Sequence, residues 1–127
     1  STKEARRILK TTVELSDVVW QTANLAGFLA ACYTSDLELL QEAFLDVMIE
    51  PQRQVLIPGF SAVKAAALGA GALGATIAGA GPTVFAFALE DTASAVQAAM
   101  VSAFAAHGLA SDAWISPLDQ EGARLLP

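Results

Sequence analysis

Apolar residues recur at two different spacings along this chain, and the change between them predicts the order of its elements. Over residues 18–33 the apolar side chains follow one another at the three- and four-residue intervals of an amphipathic helix. Over residues 75–89 they form two short runs around a glycine turn, which is typical of two strands in a hairpin. An alanine-rich stretch over residues 93–106 then predicts a second long helix.

The helices of the first half are predicted from candidate N-caps. Ser1 and Glu4 have the spacing of a capping box, so a helix is expected to begin at once and to fade near residue 11. Ser16-Asp17 is expected to cap a second helix, and Ser35-Asp36-Leu37-Glu38 has the capping-box spacing that opens a third. Because proline disfavours the helical conformation in the residue before it, the segment 50–60 is expected to be an irregular connector with short turns.

The second half of the chain predicts an α+β fold. Its elements are expected in the order helix, strand, strand, helix, strand, over residues 61–70, 75–78, 84–89, from Asp91 or Thr92 to 107, and 113–116. A small antiparallel sheet covered by helices on one face buries the apolar sides of both kinds of element. Because three strands are few for a sheet and the chain opens on a helix, a further strand is expected upstream of Ser1.

Composition limits the class of protein. The 127 residues have the size of one domain, and 54% hydrophobic residues suffice for a core. The net charge of −6 argues against nucleic acid as a partner, since phosphate binding needs clustered Lys and Arg. The single cysteine excludes an intramolecular disulfide and fits a reducing cytoplasm. Residues 65–89 carry no charge over the length of a bilayer span, but glycines and Pro82 interrupt them, so no membrane segment is predicted.

Three segments, in their order along the chain, resemble a known family. They are Glu50-Pro51-Gln52-Arg53, Leu56-Ile57-Pro58-Gly59-Phe60 and the run from Gly71 to Phe87 with its turn Gly79-Ala80-Gly81-Pro82, and the likeness extends from Ser1-Thr2-Lys3-Glu4-Ala5-Arg6 to Glu121-Gly122-Ala123-Arg124. Together they resemble the C-terminal half of the GHMP small-molecule kinases, in the branch that phosphorylates L-homoserine. The resemblance implies a ferredoxin-like C-terminal domain over residues 1–127, with the N-terminal ATP-binding domain absent from this chain.

Two arginines are the candidate binding residues. Arg53 is the only basic residue between positions 11 and 63, and a guanidinium offers a rigid fork that matches a carboxylate. Thr2 and Arg6 are four residues apart and therefore share a helix face. The resemblance implies that Arg6 and Arg53 hold the carboxylate of the amino acid, that Thr2 contacts the same substrate, and that Gly79 lies close to it.

A plainer interpretation of these residues stays open. Arg6 can be one of several solvated cations on a helix surface, and Arg53 can form a surface ion pair with Glu50 or Asp46 that contributes about 0–1 kcal/mol. The turn Gly79-Ala80-Gly81-Pro82 lacks the Gly-Lys-Ser/Thr ending of a phosphate-binding P-loop. The resemblance instead implies that this turn supports the phosphate loop of the other domain and borders the substrate.

The resemblance implies an ATP-dependent transfer to the hydroxyl of L-homoserine, in threonine biosynthesis. The family's Pro-x-x-x-Gly-Leu-Gly-Ser-Ser loop and its Mg²⁺-binding acid are absent from these 127 residues. ATP and Mg²⁺ are therefore expected on the N-terminal domain. The fragment alone is expected to be inactive, with neither a catalytic nor a metal-binding residue of its own.

A homodimer is compatible with the alanine-rich helix. Two alternatives remain: a GHMP kinase for a sugar or a mevalonate-like substrate, and a non-catalytic α+β binding or interaction domain.

Overall fold

The computed structural model describes residues 2–119, 121–123 and 125. Within this part the elements follow in the order α1 (Thr2–Arg7), α2 (Leu15–Thr34), α3 (Leu37–Ala43), α4 (Glu50–Arg53), a 3-10 turn (Gln54–Leu56), α5 (Phe60–Gly69), β1 (Gly74–Ile77), β2 (Val84–Phe87) and α6 (Glu90–Ala106). The predicted α+β class with a small antiparallel sheet is confirmed. The capping box at Ser1 and the closing Arg124 lie outside the described residues.

The hairpin lies close to where the glycine turn predicted it. Strands β1 and β2 run antiparallel, with Gly74 opposite Phe87 and Ile77 opposite Val84. The turn between them is closed by a backbone hydrogen bond of 2.8 Å, in which the N–H of Ala78 donates to the carbonyl of Thr83. Within the turn the Gly81–Pro82 peptide bond is cis.

Helices cover both faces of the hairpin, so the prediction of helices on one face only is wrong. Since side chains alternate along a strand, Ala75 and its partner Ala86 lie on the face opposite to that of Thr76 and Phe85. The alanine face packs in a core with α5 and α6 that includes Ala67, Ala72, Val96 and Met100. The other face packs against α2 and the end of α3 through the ring cluster of Phe28, Phe44, Phe85 and Phe87.

A glycine in β1 makes room for the aromatic face. A Cβ atom placed on Gly74 would lie 2.2 Å from Cγ of Phe44. The Phe44 ring therefore occupies the space that any larger residue at position 74 would need. This contact attaches the helical layer of α2 and α3 to the sheet.

Two predicted N-caps are wrong by one or two residues. Helix α2 begins at Leu15 after Glu14, which makes no side-chain capping bond, instead of being capped by Ser16-Asp17. Helix α3 is capped by Asp36, whose side chain accepts a hydrogen bond of 3.0 Å from the N–H of Leu39. Ser35 cannot serve as that cap because it ends α2 in the left-handed conformation, with φ of 57°.

The connector expected over residues 50–60 contains a short helix. Pro51 lies in the first turn of α4, where the missing N–H has no intrahelical partner in any case, so the proline is tolerated. Asp46 prepares this start by accepting hydrogen bonds from the backbone N–H groups of Met48, Ile49 and Glu50, at 2.9, 2.7 and 3.0 Å.

The last helix and the last strand also differ from expectation. Helix α6 begins at Glu90 after Leu89, so neither Asp91 nor Thr92 is its N-cap, and of its residues only Val96 is fully buried. Residues 113–116 are not a strand, and Trp114 is 82% exposed. A strand needs a neighbour for its backbone hydrogen bonds, and in the described part of the chain no such bond joins this segment to β1 or β2.

The uncharged residues 65–89 are divided among α5, β1, the glycine turn and β2. Among the residues that the structure describes, no helix combines the length and the apolar character needed to cross a membrane.

Candidate functional site

The side chain of Arg53 joins three distant parts of the chain. From the last turn of α4, its Nη1 donates a hydrogen bond of 2.6 Å to the carbonyl of Gly79, which lies 26 residues away in the glycine turn. Its Nε donates a longer bond of 3.4 Å to the carbonyl of Ala5, 48 residues away in α1. Helix α1, helix α4 and the turn between the strands therefore meet at one guanidinium group.

Arg53 has no carboxylate partner among the described residues. The alternative in which it pairs with Glu50 or Asp46 is wrong, because Glu50 pairs with Lys64 and Asp46 accepts from the backbone N–H groups of Ile49 and Glu50. Both partners of Arg53 are neutral carbonyl groups, and its Nη2 donates to no described residue. Two carbonyl groups fix the position of the guanidinium without neutralising its charge, which leaves it able to bind an anion.

Helix α1 brings Thr2 and Arg6 to the same region. Both side chains are exposed. Ala5, which lies between them in the helix, is buried, and its carbonyl accepts the hydrogen bond from Arg53. Within the described residues Arg6 has no ion pair, whereas its neighbour Arg7 pairs with Glu4 at 2.6 Å. The structure thus places Arg6 next to the residue that Arg53 holds, while no hydrogen bond between described residues joins Thr2 or Arg6 to the glycine turn.

The two glycines of the turn have different surroundings. Both have positive φ angles, 56° for Gly79 and 75° for Gly81, which L-residues with a Cβ rarely adopt. A Cβ on Gly81 would lie 3.0 Å from Cδ1 of Ile57, so here the bare backbone admits a side chain of the protein itself. A Cβ on Gly79 would meet no atom within 4 Å. Of the other two turn residues, Ala80 is half-buried and Pro82 is exposed.

Sequence reasoning missed the buried acid behind Arg53. Glu50 is 9% exposed, and its carboxylate accepts from Nζ of Lys64 in α5 and from Oγ1 of Thr76 in β1, each at 2.5 Å. One signal was available, because Lys64 is the only charged residue between positions 54 and 89. A lone lysine in an apolar helix needs a buried partner, since burying an unpaired charge is costly.

A second side chain ties α4 to the region after α1. The side-chain oxygen of Gln52 accepts a hydrogen bond of 2.7 Å from the backbone N–H of Lys10, and its amide nitrogen donates to the carbonyl of Met48 at 2.6 Å. Helix α4 is thus attached to α1 and the residues after it through Gln52 and Arg53, and to the sheet through Glu50 and Arg53.

The candidate residues lie outside two depressions of the described surface. One, of about 250 Å³, lies beside the aromatic face; the other, of about 500 Å³, lies around Pro58-Gly59-Phe60 and His107. Thr2, Arg6, Arg53 and Gly79 line neither of them.

The described residues do not fit a metal ion. Within residues 2–119 and the described residues after them, no group of three or more His, Cys, Asp or Glu side chains is arranged to hold one. The glycine turn also connects two strands, so it presents no helix N-terminus for a phosphate group. The chemistry that this part of the chain offers is the binding of an anion by arginine.

Comparison with known proteins agrees with this fold. The family model for the C terminal of GHMP kinases matches residues 28–106. The chain therefore belongs to the GHMP kinase C-terminal family. A homoserine kinase from Xylella fastidiosa strain M12 is 52% identical over 126 residues, which are 98% of this chain and 39% of that protein. A homoserine kinase from Chlorobium phaeovibrioides is 48% identical over 98% of this chain and 40% of its own length.

A solved structure has the same fold. The crystal structure of homoserine kinase from Cytophaga hutchinsonii superposes with a TM-score of 0.81 and 43% sequence identity, and the match covers 84% of this chain and 34% of that one. The chain spans about two fifths of the length of the curated relatives, with 39% and 40% of their residues matched.

Proposed function

We propose that this chain is the C-terminal substrate-binding domain of a homoserine kinase. The intact enzyme transfers the γ-phosphoryl group of ATP to the side-chain hydroxyl of L-homoserine, a step of threonine biosynthesis in the cytoplasm. The support is the identity of about half the residues with proteins of that name over 98% of the chain. The observation that carries the proposal is the guanidinium of Arg53, held by the carbonyl groups of Ala5 and Gly79 without a described carboxylate partner.

The role of this domain is to orient the substrate. Arg53 and Arg6 bind the carboxylate of L-homoserine, and Thr2 adds a hydrogen bond. Anchoring the carboxylate restricts the positions of the hydroxyl at the other end of the molecule, and such pre-positioning removes much of the entropic barrier to the reaction. The open space beside Gly79 leaves room for the bound amino acid.

The phosphate donor and its metal ion belong to another part of the enzyme in this proposal. The described residues contain no group of three or more His, Cys, Asp or Glu side chains that could hold a metal ion, and no step involving Mg²⁺ is assigned to them. We place ATP and Mg²⁺ on the N-terminal domain, which also covers the region around Arg53. The 127-residue chain alone is therefore inactive.

The release of ADP by the intact enzyme tests this function. Activity with L-homoserine, and none with mevalonate or galactose, supports the proposal. Activity with a sugar or with mevalonate would favour another GHMP kinase instead. Absence of ADP with every substrate would favour a non-catalytic binding domain.

A homodimer is a further part of the proposal. Helix α2 exposes several large apolar side chains, among them Leu15, Val19, Trp20, Leu25 and Tyr33. Such surfaces are typically covered in an assembly. Light scattering on the intact enzyme tests this: twice the molar mass of one chain supports the dimer, and the molar mass of one chain at all concentrations contradicts it.

A further inference from the structure

We propose that Glu50, together with Lys64 and Thr76, is a positioning unit that holds Arg53 where the substrate carboxylate binds. None of the three touches the substrate in this account. They act through helix α4, on which Glu50 and Arg53 lie three residues apart. The inference rests on the proposed function for its kinetic effects, and a separate structural measurement tests the positioning itself.

The carboxylate of Glu50 is buried, and each of its two oxygens accepts a hydrogen bond. Oε1 accepts from Nζ of Lys64, and Oε2 accepts from Oγ1 of Thr76, both at 2.5 Å. The side chains of Lys64 and Glu50 are 19% and 11% exposed. Because a buried charge that loses its partner is strongly unfavourable, the three groups permit only a narrow range of positions for the start of α4.

Helix α4 has little else to define its position. It is four residues long, and its only buried residue is Glu50, so it contributes no apolar side chain to a core. A helix this short is not stable by itself. Its placement therefore depends on polar contacts: the backbone hydrogen bonds accepted by Asp46, the bond from Lys10 to Gln52, and the contacts of Glu50 and Arg53.

The contacts of Glu50 and Arg53 run side by side. Glu50 contacts Thr76 in β1, and Arg53 contacts Gly79, three residues after Thr76. Residues three apart on a helix lie on the same side. One turn of α4 is thus attached at two points to the four-residue stretch from Thr76 to Gly79, and a displacement at Glu50 is transmitted to the guanidinium of Arg53.

A matched pair of variants at Thr76 tests the inference in the intact enzyme. Thr76→Val keeps the shape of the side chain and removes its hydroxyl, whereas Thr76→Ser keeps the hydroxyl. We expect Thr76→Val to raise the KM for L-homoserine about tenfold, which corresponds to about 1.4 kcal/mol. The KM for ATP is expected to stay unchanged, and Thr76→Ser to restore the KM for homoserine. Equal rises in both KM values, or no rescue by serine, would overturn the inference.

The coupling between Glu50 and Arg53 gives a second kinetic test. Glu50→Gln is expected to raise the KM for homoserine in the wild-type background and to have no further effect when combined with Arg53→Leu. Independent effects that add would overturn the positioning role, because residues acting through a shared group are non-additive. If Glu50→Gln does not fold, Lys64→Met in the same two backgrounds replaces it.

A crystal structure of the intact Thr76→Val enzyme separates this inference from the proposed function. The expected result is loss of the hydrogen bond between Nη1 of Arg53 and the carbonyl of Gly79. Persistence of that bond at its present 2.6 Å would overturn the positioning role, whatever the enzyme phosphorylates. A wild-type enzyme that releases no ADP with homoserine would instead overturn the proposed function, and the crystal structure would still decide the positioning role.

Discussion

Arg53 and Gly79 are joined by a hydrogen bond of 2.6 Å between a guanidinium nitrogen and a backbone carbonyl. The bond connects a one-turn helix to the turn between the two strands, and the same guanidinium reaches the carbonyl of Ala5 in α1. It fixes the place of a positive charge without supplying a negative one. This relationship underlies the account of substrate binding and the first prediction.

Replacing Arg53 by leucine in the intact enzyme is expected to raise the KM for L-homoserine by more than about tenfold, or 1.4 kcal/mol, because the carboxylate loses its charged partner. Loss of two hydrogen bonds to backbone carbonyls lowers the free energy of unfolding by about 1–3 kcal/mol. Steady-state kinetics and denaturant unfolding measure the two effects.

The control for Arg53→Leu is Arg7→Leu. Arg7 is 75% exposed in its ion pair with Glu4, so its loss is expected to leave the KM for homoserine unchanged. An unchanged KM in Arg53→Leu, or an equal rise in both variants, would contradict the assignment.

The two glycines of the turn are expected to respond differently to alanine. Gly81→Ala strains a positive φ and brings a Cβ to 3.0 Å from Ile57, so its main effect is on stability. The new Cβ in Gly79→Ala meets no protein atom within 4 Å, so the free energy of unfolding falls only by about 1–2 kcal/mol, which is what a left-handed backbone costs a residue with a Cβ. Its methyl group, however, enters the space proposed for the substrate. We expect the larger loss of unfolding free energy in Gly81→Ala and the larger rise in KM in Gly79→Ala, and the reverse order would contradict this assignment.

Gly74→Ala is expected to be severely destabilising, by about 3 kcal/mol or more, because the Phe44 ring must leave the aromatic face. Its Cβ would lie 2.2 Å from that ring. Gly69→Ala is the matched control, since a Cβ there meets nothing within 4 Å and the residue ends a helix. Replacing that glycine is expected to stabilise the protein by about 0.4–1 kcal/mol. Thermal unfolding of the two variants measures the difference, and similar melting temperatures would contradict the close contact between Gly74 and the Phe44 ring.

The N-cap of α3 distinguishes the observed structure from the predicted capping box. Asp36→Ala is expected to lower the free energy of unfolding by about 1 kcal/mol, since the N–H of Leu39 loses its acceptor. Ser35→Ala is expected to have little effect, because the Ser35 side chain makes no capping bond. Urea unfolding of both variants measures this. A larger loss of unfolding free energy in Ser35→Ala than in Asp36→Ala would favour the predicted capping box at Ser35 over the cap by Asp36.

The hairpin was predictable because its signals are local. Gly79-Ala80-Gly81-Pro82 between two apolar runs specifies a turn without reference to the rest of the chain, and the observed strands start and end within two residues of the predicted limits. The end of α5 was predicted at residue 70, one residue after its observed end at Gly69, and Gly71 follows with a φ of 99° that favours glycine. Where the backbone requires a residue without a Cβ, the sequence displays it directly.

The errors occur where distant contacts decide. Helix α4 was missed because its start is prepared by Asp46, four residues before it, while Pro51 alone argued against a helix. The role of Glu50 was missed because its partners lie 14 and 26 residues away. The prediction of a strand at residues 113–116 was wrong, because an apolar run does not reveal whether a neighbouring strand is present to pair with it.

In the candidate site, too, the local signals were predictable and the distant contacts were not. Arg53 was found because it is isolated among acidic residues, and its resemblance to a family motif gave it a role. Its actual contacts, the carbonyl groups of Ala5 and Gly79, were not predictable, since a sequence carries no signal for a bond to a backbone carbonyl.

The central claim is that this domain holds the carboxylate of L-homoserine through Arg53. The most direct measurement compares kcat/KM for L-homoserine and for 3-aminopropan-1-ol, which lacks only the carboxylate, in the intact wild-type and Arg53→Leu enzymes. The account predicts a strong preference of the wild-type enzyme for homoserine and its reduction by at least about tenfold in the variant, or 1.4 kcal/mol. An equal preference in both enzymes would contradict it.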